Sequence, residues 1–138
     1  MMAETLPTIL LCESSPGLQE AFQRMPDGWA SLRLTPTVEE CLAALTQEAP
    51  DLLILDIDGQ NMDPLVLVAN LRSTYPDLKL LVVAAAFAYD FQVACVKLGQ
   101  LSFLTKPFSV PAAVAKMKAL LGLAAPSMHT RVVKITLS

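Results

Sequence analysis

The chain has 138 residues, of which 54% are hydrophobic and 17% are charged, and its net charge is −3 at pH 7. This length fits one domain, and the composition excludes an intrinsically disordered chain because it supplies enough apolar surface for a substantial core.

Strands and helices are predicted to alternate from the first apolar run onward. Thr8–Cys12 predicts a strand, and Ser15 followed by Pro16 predicts the start of a helix, with Ser as N-cap and Pro at the first helical position. Residues 26–28, Pro-Asp-Gly, end that helix in a turn. The weak alternation of Trp29–Thr35 predicts a second strand.

A second helix is predicted to begin at Thr37, because Glu40 stands at the capping-box position. We expect Leu42 and Leu45 on its buried face. Three further strand–helix units follow. Their strands are predicted at residues 51–56, 78–85 and 102–105, and their helices at 63–74, 90–98 and 109–121.

The central strands are hydrophobic without interruption, as strands covered on both faces must be. We therefore predict an α/β fold, in which helices cover both faces of a parallel five-stranded sheet. Residues 80–96 are too short for a membrane span and contain Asp90, so they are predicted as strand, loop and helix. The N-terminus has no basic segment typical of a signal peptide.

The three cysteines, Cys12, Cys41 and Cys95, are far apart and lack metal-binding spacing, so we expect buried, reduced thiols and a cytoplasmic location. The charges are distributed unevenly. All thirteen acids lie at or before Asp90 with four bases, whereas six bases and no acid follow it. This is either chance scatter over a solvated surface or an acidic site opposite a basic partner-binding face.

Two acids stand at predicted carboxyl ends of strands: Glu13 follows the first strand and Asp56 ends the third. In doubly wound parallel sheets these ends rim the ligand crevice, so we expect both acids there rather than in a dry interior. No glycine-rich phosphate loop follows the first strand, which speaks against nucleotide binding.

With Lys106, Pro107 and Phe108 after the fifth strand, these acids give residues 8–122 a pattern that resembles the receiver domain of two-component response regulators. The resemblance implies a flavodoxin-like fold with strand order 2-1-3-4-5. It also implies that Asp56 accepts a phosphoryl group from a histidine kinase and that Lys106 contacts the phosphorylated site.

The resemblance assigns further positions. Asp63 matches an acidic position in the loop after the third strand. Pro107 matches a proline that often follows a cis peptide bond, and Phe103 stands where the family has a switching aromatic residue.

Two positions depart from the family pattern. The second of two adjacent acids after the first strand, which usually binds Mg²⁺, is replaced by Ser14, and a hydroxyl is a poorer Mg²⁺ ligand than a carboxylate. The Thr or Ser that ends the fourth strand and engages the phosphoryl group is replaced by Ala84. We therefore expect a weak or absent Mg²⁺ site formed by Glu13, Asp56 and Asp58. The Asp58 side chain either substitutes for the missing acid or faces water.

In the loop after the fourth strand, Phe87 and Tyr89 either meet a partner or pack against the next helix. Residues 123–138 are predicted as a linker and a C-terminal strand at 131–137, which is either a frayed tail or pairs with a sheet edge, most plausibly in a homodimer. His129 is interpreted as a solvated linker residue.

We therefore predict a receiver-like signalling module, not an enzyme, with a degraded phosphorylation site. It acts mainly by binding a protein, such as a histidine kinase or phosphotransfer protein, and binds neither nucleic acid nor membrane. One alternative is a working response regulator phosphorylated on Asp56. The other is a small ligand-binding or enzymatic domain of flavodoxin-like fold.

Overall fold

The structure is a computed structural model that describes residues 6–12, 29–58 and 60–123. Several sequence predictions lie outside the described residues: Glu13, Ser14, the helix starting at Ser15, His129 and the strand at 131–137.

Five parallel strands form one sheet in the order β2-β1-β3-β4-β5. This arrangement confirms the predicted fold class and strand order. The strand bounds differ slightly from prediction, because β2 begins two residues later, β3 one residue later and β5 one residue earlier, and β4 is one residue shorter at each end. The strands are β1 Thr8–Cys12, β2 Ser31–Thr35, β3 Leu52–Asp56, β4 Lys79–Ala84 and β5 Leu101–Thr105.

Four helices are described: α1 Val38–Gln47, α2 Pro64–Thr74, α3 Tyr89–Leu98 and α4 Val110–Leu120. The predicted capping box forms at α1. The backbone N–H of Glu40 donates to the Thr37 hydroxyl at 3.1 Å, and that hydroxyl donates to the Glu40 carboxylate at 3.2 Å. These bonds satisfy donors that a helix start leaves unpaired, and so they set where α1 begins.

The prediction that Leu42 is buried is wrong. Its side chain is 37% exposed, whereas Cys41 and Leu45 are buried on the face that α1 presents to the sheet. Successive residues of a helix are about 100° apart, so a stripe centred between Cys41 and Leu45 leaves Leu42 at its solvent margin.

The core lies on both faces of the sheet because alternate residues of each strand point in opposite directions. On one face Leu53, Leu55 and Val82 pack with residues of α1, α2 and α3. On the other face Ile54 and Val83 pack with residues of α4 and with Trp29. The apolar residues of β3 and β4 are therefore buried on both sides, which leaves their carboxyl ends as the place for polar groups.

The three cysteines are buried thiols, as predicted. Burial raises the pKa of the Cys95 thiol to about 11. Residues 80–96 fold as strand, loop and helix, and none of the helices within the described ranges is long and apolar enough to cross a membrane.

Candidate functional site

Three neighbouring strands bring the candidate site together at their carboxyl ends. Asp56 is the last residue of β3, Ala84 the last of β4, and Lys106 follows β5 directly. The ladder continues one residue past the strands, because Lys106 N–H donates to the Ala84 carbonyl at 2.9 Å and Ile57 N–H donates to the Val83 carbonyl at 3.0 Å. The β4 end therefore lies between the acid and the lysine.

The Asp56 carboxylate is buried and paired. Its Oδ1 accepts the backbone N–H of Asp58 at 2.8 Å, and its Oδ2 lies 2.6 Å from the Lys106 ammonium. The Lys106 ammonium is the partner of this buried oxygen, and it compensates the carboxylate charge. An unpaired carboxylate at this depth would be costly, and Lys106 removes most of that cost.

Lys106 contacts a second acid. Its ammonium lies 3.0 Å from Asp58 Oδ2. The side chains of Lys106, Asp58 and Asp56 are 29%, 42% and 2% exposed, so the cluster runs from solvent into the core. Partial burial lowers the pKa of Lys106, but bonding and charge from both aspartates outweigh it and hold the pKa above its usual value.

The Asp58 carboxylate also contacts the backbone. Its Oδ2 accepts the N–H of Ala85, the first residue after β4, at 2.9 Å. The Gln60 amide donates to the Asp56 carbonyl at 3.1 Å. Sequence reasoning missed both groups, since a backbone donor carries no sequence signal and Gln60 belongs to no motif.

Ala84 is fully buried between Asp56 and Lys106 and carries no hydroxyl. The bond between Lys106 and Pro107 is a cis peptide bond, the geometry that the resemblance implies at this position.

Phe103 packs in an aromatic cluster with Phe87 and Phe91. Its ring centre is 4.9 Å from that of Phe87 and 6.2 Å from that of Phe91, both edge to face. Phe87 of the loop therefore packs inward against the next helix, whereas Tyr89, which begins α3, is 78% exposed and faces solvent.

Asp63 caps α2, because its Oδ1 accepts the N–H groups of Leu65 and Val66 at 2.8 and 3.3 Å. Among the described residues, no group of three or more acidic, histidine or cysteine side chains is arranged to hold a metal ion. Glu13, the other predicted Mg²⁺ ligand, is not among them.

The described fold has known relatives at low sequence identity. A response regulator receiver domain protein (CheY-like) from Methanospirillum hungatei superposes with a TM-score of 0.76 at 21% identity, over 86% of this chain and 95% of that one. A response regulator from Thermotoga maritima gives a TM-score of 0.71 at 21% identity, over 86% and 99%. These likenesses establish the fold.

Curated proteins are similar in sequence. Response regulator MprA of Mycobacterium avium is 30% identical over 94% of this chain and 58% of that protein. MprA of Mycobacterium bovis is 32% identical over 82% of this chain and 50% of that protein. The chain thus spans little more than half the length of these relatives. Residues 9–118 match the response regulator receiver domain. The chain therefore belongs to the response regulator receiver domain family.

Proposed function

We propose that this receiver domain of two-component signalling has a degraded phosphorylation site and acts mainly by binding another protein. One observation carries the proposal: the carboxylates of Asp56 and Asp58 already neutralise Lys106, and Ala84, at the end of β4, has no hydroxyl. A phosphoryl group on Asp56 would need both the lysine charge and a hydrogen-bond donor on β4.

Receiver domains typically bind Mg²⁺ at the phosphorylation site. The described donors do not fit a tight site here, because the Lys106 ammonium lies against both Asp56 and Asp58 and repels a divalent cation. At Ser14, a neutral hydroxyl stands where the family has a carboxylate. We infer that Mg²⁺ binds weakly, with Asp56 and Glu13 as its acidic ligands.

Ala84 also affects the conformational response to phosphorylation. A hydroxyl at the end of β4 would move toward a phosphoryl group, whereas a buried methyl group gains nothing from that movement. We infer that phosphorylation of Asp56 would shift the conformation of this chain little.

A protein-binding role has support from α3. Tyr89, Val93 and Val96 recur at helical spacing on its solvent side, and Tyr89 and Val96 are 78% and 72% exposed. Such an apolar stripe is typical of a protein contact rather than of a solvated helix face. Lys97 and Lys116 are also exposed on this side of the fold, so we propose a partner with acidic side chains.

Receiver domains interact with histidine kinases or phosphotransfer proteins and are generally not enzymes. We propose the same partner class for this chain and no enzymatic activity, since the acid cluster and Lys106 form no further catalytic pair. Four further points stay predictions: the domain boundary near residue 122, the cytoplasmic location, the absence of nucleic-acid binding and the dimer through residues 131–137.

A working receiver is the second candidate. The observation in its favour is that Asp56 and Lys106 lie 2.6 Å apart at the carboxyl ends of the strands, which keeps a nucleophilic carboxylate beside a cation. In that reaction the Asp56 oxygen attacks phosphorus, an acyl phosphate forms, and the donor leaves without its phosphoryl group.

Mass spectrometry after incubation with acetyl phosphate and Mg²⁺ separates the two candidates. The proposed function expects no phosphoryl group on the natural chain, as on an Asp56→Asn control, and phosphorylation of a Ser14→Asp, Ala84→Thr double variant. Rapid transfer to Asp56 of the natural chain would establish the working receiver instead.

A further inference from the structure

The Asp58 carboxylate occupies a small site with two donors. Its Oδ2 lies 3.0 Å from the Lys106 ammonium and 2.9 Å from the Ala85 nitrogen, whose N–H it accepts. One donor is a full charge, and the other is a backbone group held in place by the end of β4. A fixed backbone N–H beside an ammonium is a general arrangement for binding an oxyanion.

This site adjoins the predicted phosphoacceptor. The same ammonium lies 2.6 Å from Asp56 Oδ2, and the Asp58 N–H donates to Asp56 Oδ1. Any phosphoryl group attached to Asp56 would place oxygens near Lys106 and the start of the loop after β4. The Asp58 carboxylate already accepts from Lys106 and the Ala85 N–H, and two anions in one small site repel each other.

We propose that Asp58 is an internal occupant of an oxyanion site formed by Lys106 and the Ala85 N–H, and that phosphoryl oxygens enter this site only when Asp58 leaves it. The proposal rests on the proposed function, because it offers a cause for the poor phosphorylation of Asp56 that is separate from Ser14 and Ala84.

The occupied site also fixes the loop that follows it. Ala85 begins the segment that carries Phe87, and the Phe87 ring packs on Phe103 at 4.9 Å. The Asp58 contact therefore holds this loop and its aromatic partner in one arrangement without any phosphoryl group. The chain thereby presents a constant surface near α3.

The contact itself is tested first, in the absence of phosphate and metal. We compare backbone amide NMR spectra of the natural chain, Asp58→Ala, and Asp90→Asn, which removes an exposed acid from the groove beside Asp58. The chemical shift of the Ala85 amide should change more than any other in Asp58→Ala, and it should not change in Asp90→Asn. An unchanged chemical shift of the Ala85 amide in Asp58→Ala overturns the proposal. The same spectra show whether each variant is folded.

The consequence is tested by initial rates of Asp56 phosphorylation with acetyl phosphate and Mg²⁺, measured by intact mass in a Ser14→Asp background and also in the natural chain. Adding Asp58→Ala should raise the rate about tenfold or more, since charge-assisted hydrogen bonds of this kind are held strongly. Adding Asp90→Asn should leave the rate within about twofold, since an exposed charge acts weakly.

The outcomes distinguish the two proposals. An unchanged rate in Asp58→Ala overturns the internal-occupant proposal, even where the natural chain is inert and the proposed function stands. A natural chain that is phosphorylated, but more slowly than its Asp58→Ala variant, overturns the proposed function and supports the internal occupant. Equal, rapid rates of phosphorylation in the natural chain and in its Asp58→Ala variant overturn both proposals.

Discussion

The Lys106 ammonium lies 2.6 Å from the Asp56 carboxylate although their strands, β5 and β3, are not neighbours in the sheet. The lysine reaches across the end of β4, where Ala84 presents only a methyl group. A single cation thereby connects three consecutive strands of the sheet, and it is shared between a buried acid and a half-exposed one.

Removing the cation should cost more stability than removing the buried acid. Lys106→Met leaves the buried Asp56 unpaired beside Asp58, so we expect a loss of about 3 kcal/mol in the free energy of unfolding. Asp56→Asn should cost within about 1 kcal/mol, because an amide oxygen still accepts the Asp58 N–H and Lys106 keeps Asp58. Urea unfolding measures both.

A matched control for this comparison is Lys97→Met, which removes an exposed lysine and should change stability by less than about 0.5 kcal/mol. Equal losses for Lys106→Met and Lys97→Met would contradict the role given to the shared cation.

Mg²⁺ should bind weakly to the natural chain. The Asp58 amide donates directly to Asp56, so its NMR shift reports a cation at that carboxylate. We expect no saturation at millimolar Mg²⁺ in the natural chain and clear saturation in Ser14→Asp, where a carboxylate ligand is restored. Saturation of the natural chain well below millimolar would show that Ser14 does not weaken the site.

Stability should fall with alkaline pH because of Cys95. A cysteine in an unfolded chain has a pKa of about 8.5, and burial raises that of Cys95 to about 11. The folded state therefore holds a proton that the unfolded state has lost between these values. Stability from this group is complete below about pH 8.5 and declines up to about pH 11, by about 3 kcal/mol in total.

The measurement for Cys95 is urea unfolding at several pH values, compared with Cys95→Ala. The alanine variant is less stable at neutral pH because it leaves a cavity, but the difference between the two chains should shrink as pH rises. If the difference in unfolding free energy between the two chains is constant with pH, the Cys95 thiol does not cause the loss of stability at alkaline pH.

The face formed by α3, β5 and α4 should not drive a phosphorylation-dependent dimer. A two-fold axis sets the same patch against itself, and Lys97 and Lys116 would meet their own copies with only Asp90 to offset them. Light scattering of Ser14→Asp, Ala84→Thr should therefore give the same mass with and without beryllofluoride and Mg²⁺. A ligand-dependent dimer abolished by Lys97→Glu would contradict this prediction.

The basic face is smaller than the sequence suggests. Lys116 donates to the Phe103 carbonyl beside α3, whereas the Lys118 ammonium lies 5.1 Å from the centre of the Trp29 ring. Residues two apart on a helix point to nearly opposite sides, so these lysines belong to different surfaces. The uneven distribution of charge along the chain therefore becomes a local patch rather than a uniform basic side.

The sequence alone determined the strands, the described helices and the sheet type. Uninterrupted apolar runs require burial on both faces, and the Thr37–Glu40 pair marks a helix start through bonds within a few residues. Such signals are local, so they can be read along the chain. The candidate site residues also came from sequence, Asp56 from its place at the end of a strand and Lys106 from the resemblance to receiver domains.

Only the tertiary structure decided what those residues contact. The Ala85 N–H that Asp58 binds belongs to a different loop and carries no side-chain signal, so no pattern near Asp58 predicts it. Sequence also left open that Phe87 packs inward and Tyr89 faces solvent, since both are aromatic residues of one short segment that was predicted to precede the helix. The periodicity of a sequence predicts the helix or strand to which a residue belongs. The contacts of that residue depend on which strand ends are neighbours in the sheet.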